Sequence, residues 1–190
     1  MATDLELCMD RAAPLLPEFS EAWHLAMESY RGYPAEYTAE HDDTTAANCI
    51  RSHMWMEIER RFRGRPGCTL LRLKGLNVLL YGDQFVWRFK RVDRSGRHRN
   101  YQTDQQKDFD DQKPFPEIPP PAVRLTSGYQ PDASGQAIER IVVARPLGRS
   151  TQWAAQVNIV DSVASWEEIT PRRFAGTERF QRKPRTGEAG

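Results

Sequence analysis

The chain has 190 residues, 39% of them hydrophobic, and its 27 Lys and Arg against 26 Asp and Glu leave a formal net charge of +1. Five Trp, eight Phe and six Tyr can each bury ~150–250 Å², which supports a real core and excludes a wholly disordered chain. No apolar run approaches the ~20 residues of a membrane span, and the acidic start, Met1 to Asp10, lacks the basic and apolar regions of a signal peptide.

In chain order, the first predicted element is a helix over 17–31. Phe19, Trp23, Ala26, Met27 and Tyr30 recur at helical spacing on one face, Ser20 is a candidate cap, and Gly32-Tyr33-Pro34 ends the run. A second helix is predicted over 43–62. Ala47, Ile50, Met54, Ile58 and Phe62 form its stripe, Asp42, Asp43 and Thr44 suit its start, and Arg60, Arg61 and Arg63 suit its end. Gly64-Arg65-Pro66-Gly67 is a stop.

The period then changes. Runs at 69–73, 78–81 and 85–92 read as strands. In the third, Phe85, Trp87 and Phe89 alternate with Val86, Arg88, Lys90 and Val92, which predicts a half-buried strand with a basic outer face. Thr103 with Gln106 three residues on fits a capping box and predicts a short helix over 104–112. The Pro-rich stretch 113–121 reads as an extended connector or surface strap. Strands follow at 123–129, 138–145 and 152–160, joined by Gly- and Pro-containing turns, with Trp166 as a last docking residue.

The expected architecture is α+β: an N-terminal helical pair packed on an antiparallel meander of five or six strands, with both strand blocks in one sheet. It is expected as a single domain over 1–170, helical over 1–64 and β-rich over 68–160. Residues 171–190 are expected to be a basic flexible tail.

The net charge hides a split. Residues 1–44 carry ten acids against two bases, a net of −8, so the remainder carries +9. Of that, +5 sits on residues 88–101 and +4 on the tail. Arg88, Lys90, Arg91, Arg94, Arg97 and Arg99 are candidate phosphate contacts, because guanidinium forks match phosphate oxygens. Asn100 and Tyr101 are candidate base contacts by hydrogen bonding and stacking. The competing reading is a solvated strand and loop neutralised by Asp104, Asp108, Asp110 and Asp111 nearby.

Other chemistry is thinly signalled. Cys8, Cys49 and Cys68 are widely spaced with no Cys-x-x-Cys, which argues against a disulfide framework and a zinc site. His24 and Glu28, and His53 and Glu57, stand four apart, but spacing suggests no third ligand and the His-Glu-x-x-His motif is missing. A nuclease layout could use Asp83, Lys90 and Glu57 or Glu59. However, Arg88 stands where a second carboxylate would be needed to hold a metal. No nucleophile elbow, Walker loop or dinucleotide fingerprint occurs.

The expectation is a soluble, reduced, cytoplasmic protein with no cofactor and no membrane partner. It should bind or regulate rather than catalyse, contacting DNA or RNA through the basic strand and turn. The alternatives are a protein–protein or antitoxin-like module, including self-association, and then a metal-dependent nuclease.

Overall fold

A computed structural model describes residues 4–73, 75–98, 103–120 and 122–170. The expected basic tail at 171–190, and Arg99, Asn100 and Tyr101, lie outside the described residues. The elements are α1 (Asp4–Ala12), α2 (Leu16–Arg31), α3 (Ala35–Thr38), α4 (Asp43–Phe62), β1 (Cys68–Leu73), β2 (Leu76–Tyr81), β3 (Phe85–Arg91), α5 (Asp104–Asp110), β4 (Val123–Pro131), β5 (Ile138–Leu147), β6 (Ser150–Val160) and β7 (Val163–Glu168). This is the expected α+β arrangement, with helices on a mostly antiparallel sheet. Among the described residues no helix is long and apolar enough to cross a membrane.

Helix formation begins earlier than expected. In α1, Leu5, Cys8, Met9 and Ala12 are buried at helical spacing, and a 3-10 turn over Ala13–Leu15 leads into α2. Pro14 and Pro17 sit in first turns, where a missing N–H costs little. Ser20 therefore lies inside α2 and is not its cap. In α4 the bounds agree with the sequence reading, and the Asp42 carboxylate accepts from the Thr45 backbone N–H at 2.7 Å.

All seven strands join one sheet in the order β1-β2-β3-β4-β5-β6-β7. Within β1–β3 and within β4–β7 neighbours are antiparallel, but β3 and β4 run parallel. A parallel pair needs the chain to return along the strand, and residues 92–122 make that return. The seventh strand, β7, was not expected. Its turn uses Asp161 and Ser162 with φ of 49° and 63°, so the usual glycine signal is missing.

One sheet face carries the helices. Phe19 of α2 meets Trp87 edge-on at 5.1 Å and Phe89 at 5.3 Å. Trp23 donates its Nε1–H to Ser127 Oγ at 3.0 Å. These contacts join α2 to the middle of the sheet, where Leu125, Tyr129 and Val143 are also buried.

The other face is not solvated as expected. Phe109, Phe115 and Ile118, from α5 and the Pro-rich stretch, bury against Val78, Val86, Leu73 and Leu76. Residues Phe85 to Lys90 are consequently buried on both faces of β3. Two guanidiniums complete this cover: Arg88 stacks on Phe109 at 4.5 Å and Arg124 on Phe115 at 5.0 Å. Gln112 bonds the backbone of Arg124 and Pro146, tying the crossover to β4 and β5.

Candidate functional site

The basic segment is built on β3 and the turn that follows it. Because side chains alternate along a strand, Arg88 and Lys90 share the face covered by the crossover, and Arg91 points to the helical side. Asp93 then shapes the turn. Its Oδ1 accepts from the Ser95 N–H, the Ser95 hydroxyl and the Arg97 N–H at 2.6–3.1 Å. Gly96, at φ of 73°, lets this turn lie on the sheet, since a Cβ there would stand 2.8 Å from Ala154 Cβ.

This geometry divides the expected patch. Arg88 is 0% exposed and Lys90 5%, so neither presents a surface fork. Arg91 Nη2 lies 3.3 Å from Asp43 of α4. Arg94 and Arg97 are exposed on the turn. Among the described residues, Asp110 is the nearby acid seen to engage the patch, through Arg88 and His98. Asp104 pairs with Lys107, and both Asp108 and Asp111 pair with Lys113.

Asp110 joins one buried and one half-buried partner. One oxygen accepts from Arg88 Nη2 at 2.5 Å, and the other lies 3.1 Å from His98 Nε2. Arg88 Nε donates to Thr126 Oγ1 at 2.9 Å. Burial pushes the His98 pKa below its ordinary value, against the pull of the Asp110 hydrogen bond.

Three cavities adjoin the segment. The first, of about 430 Å³, is lined by Arg88 and Arg97 but also by Asp93 and Asp110. The second, of about 670 Å³, is lined by Arg91 and Arg94 but also by Asp43, Asp93 and Asp132. The third, of about 280 Å³, is lined by Arg51, Arg88 and Lys90 with no carboxylate. Their charge balance separates them: the linings of the first two are neutral or acidic overall, whereas the third is lined by three bases, of which Arg88 is paired with Asp110.

The third cavity is a notch in the sheet. Among the described residues, the register between β2 and β3 runs only from Leu79–Tyr81 to Phe85–Trp87. Beyond Trp87 the two strands part. Leu76 and Asn77 of β2 form one wall, Arg88, Phe89 and Lys90 of β3 another, and Arg51, Ser52, Trp55 and Met56 of α4 the third. Burial, reinforced by Arg51 and Arg88, pushes the Lys90 amine down to about 8, and Asp110 opposes this only in part.

Arg51 was not anticipated from the sequence. Its available signal was a base next to Ile50 and four residues before Trp55, beside an apolar stripe of α4. Nothing local linked it to β3.

The remaining candidates are accounted for elsewhere. His53 Nε2 meets the Tyr33 hydroxyl at 2.8 Å, and Glu57 engages Arg60 and Arg61. Among the described residues, no group of three His, Cys, Asp or Glu could hold a metal ion. Asp83 lies in the β2–β3 turn and Lys90 near the far end of β3, ~17 Å along the strand from Phe85 at ~3.3 Å per residue, too far from the turn to share one ion. Cys8 is buried, and that burial pushes its thiol up to about 11.

No family model, curated protein or solved structure matches the chain, so the residues and their geometry carry the functional reading.

Proposed function

We propose that this is a non-catalytic binding protein for a small ligand with one anionic group, phosphate or carboxylate, on an apolar body. The notch between β2, β3 and α4 receives it. One observation carries this reading: Arg51 and Lys90 line one cavity whose lining holds no carboxylate, with Arg88, paired to Asp110, behind them. Cations brought together in partial burial repel one another, and an anion relieves that repulsion. Trp55, Met56, Leu76 and Phe89 supply apolar walls for the rest of the ligand.

A continuous phosphate-tracking stripe is less well supported, because the segment's bases divide among three cavities. Nucleic acid remains a second reading, on the exposure of Arg94 and Arg97. A partner drawn by charge segregation has weaker support. Four acids of the N-terminal region already pair with the chain's own bases, in Asp4–Arg145, Glu18–Arg65, Glu21–Arg61 and Asp43–Arg91.

Calorimetric titration with phenyl phosphate and with benzoate tests the main reading. Binding is expected for at least one probe, weakened about tenfold or more by Arg51→Met, the loss of one charged contact. Absence of binding by both, or equal binding by the Arg51→Met protein, overturns it. For the second reading, heparin retention lost in Arg94→Ala/Arg97→Ala is the expected result.

A further inference from the structure

We propose that the cavity between the turn after β3, α5 and the β5–β6 hairpin binds a neutral monosaccharide, one of whose hydroxyls donates to His98 Nδ1. This cavity is separate from the notch, and the inference does not rest on the anion reading.

The His98 ring is fixed from one side. Its Nε2 lies 3.1 Å from an Asp110 oxygen, and an ionised carboxylate only accepts, so Nε2 carries the hydrogen. Nδ1 of the neutral ring is then an acceptor. The side chain is 10% exposed, and among the described residues Nδ1 is buried without a hydrogen-bond partner. A buried acceptor left unmade costs free energy, and a donor brought by a ligand removes that cost. Burial holds the His98 pKa below its ordinary value. The Asp110 hydrogen bond from α5 opposes this, while Arg88 and Lys90 of β3 reinforce it. The acceptor form therefore prevails at neutral pH.

The rest of the lining selects the ligand's chemistry. The cavity, of about 430 Å³, is lined by two bases, Arg88 and Arg97, and two acids, Asp93 and Asp110. That balance favours neither a net anion nor a net cation. Arg88 is held by Asp110 and Thr126 and enters here only through its charge. Ser150 and Thr151 of β6 add hydroxyls, which both donate and accept, as sugar hydroxyls do. Ala144 and Pro146 of β5 offer apolar surface to the ligand's C–H groups. Among the described residues His98 is the one aromatic ring in the lining, so a flat nucleobase would lack a stacking platform.

The test titrates the full chain with D-ribose, D-glucose and D-mannose while NMR follows the imidazole nitrogens. At pH 7 the expected spectrum shows the Nε2–H form of His98. At least one sugar, at up to about 50 mM, should shift its Nδ1 resonance to saturation. His98→Phe should weaken binding of that sugar at least about tenfold by calorimetry. Binding should hold near neutral pH and fall only below about 6.5, the ordinary histidine value, as Nδ1 gains a proton. Glucose 6-phosphate and glucosamine are the charged controls. If either binds while no neutral sugar does, the neutral ligand is overturned. No shift of Nδ1 with any of the three sugars, or binding unchanged by His98→Phe, overturns the site. The wild-type spectra need no variant to fold.

Discussion

Arg88 on β3 and Asp110 at the end of α5 meet at 2.5 Å with side chains 1% and 2% exposed. Strong desolvation opposes such a pair, and the remaining hydrogen bonds must offset it. Here Thr126 and His98 supply two, Phe109 covers the guanidinium, and among the described residues the Arg88 Nη1 stays buried without a hydrogen-bond partner. The pair also joins the returning crossover to the centre of the sheet.

Removing one partner should therefore be far worse than removing both. Asp110→Ala leaves a buried guanidinium without its counter-charge and should cost about 3–5 kcal/mol. Arg88→Met with Asp110→Leu should recover much of that loss. Urea midpoints for Asp110→Ala and for the double variant check this. Equal destabilisation by Asp110→Ala and by the double variant would refute it.

The cover over the second sheet face should be equally testable. Phe109 is fully buried against that face and against Arg88. Phe109→Ala should destabilise by about 3–5 kcal/mol, the usual cost of deleting a buried ring. Hydrogen exchange at the β3 and β4 amides should accelerate. Exchange unchanged there would show that the crossover does not protect those strands.

Two glycines with the same backbone angle separate strain from packing. Gly96 and Gly135 both have φ of 73°, but a Cβ at Gly96 meets Ala154 at 2.8 Å, while at Gly135 nothing lies within 4 Å. Gly135→Ala should cost about 1–2 kcal/mol from backbone conformation alone. Gly96→Ala should cost about 1–3 kcal/mol more through overpacking. Thermal or urea unfolding of the two variants gives the comparison, and equal losses would count against the packing account.

Lys90 should leave a signature in the alkaline limb of stability. Burial, then Arg51 on α4 and Arg88 on β3, depress its amine, while Asp110 on α5 raises it and His98 lies close enough to feel its charge. The folded pKa, about 8, is below the unfolded one of about 10.4, so the unfolded chain binds more protons between those values. Stability contributed by this group therefore rises with pH from about 8 to about 10.4, by roughly 3 kcal/mol at most. Tyr129, raised by burial, pulls the other way at higher pH. The difference in urea stability between the wild type and Lys90→Met isolates the lysine. It should be largest near pH 7 and shrink above pH 9, and a difference independent of pH would sink the idea.

Much of the secondary structure was legible locally. The stripe Ile50, Met54, Ile58 and Phe62, an Asp cap and a Gly-Pro stop bound α4 correctly. The three runs after it became β1, β2 and β3, and both strand blocks share one sheet as expected. The misses have physical causes. Prolines at 14 and 17 hid the helical start, although first-turn positions tolerate them. The residues of the β6–β7 turn adopt positive φ without glycine.

The candidate site was legible only in part. The basic character of β3 drew attention to Arg88 and Lys90, but Arg51 lies in another element and entered through packing.

What the sequence determined by itself was which residues share a face, because helical and strand periodicities are local properties of the backbone. It assigned Val86, Arg88 and Lys90 to one side of β3 correctly. What covers that side was decided only by tertiary structure. The parallel β3–β4 pair sends the chain back across the sheet, and Phe109, Phe115 and Ile118 land on it. A pattern of polar residues records a face, not its environment. Long-range packing therefore turned a presumed surface patch into a buried ion pair and a basic notch.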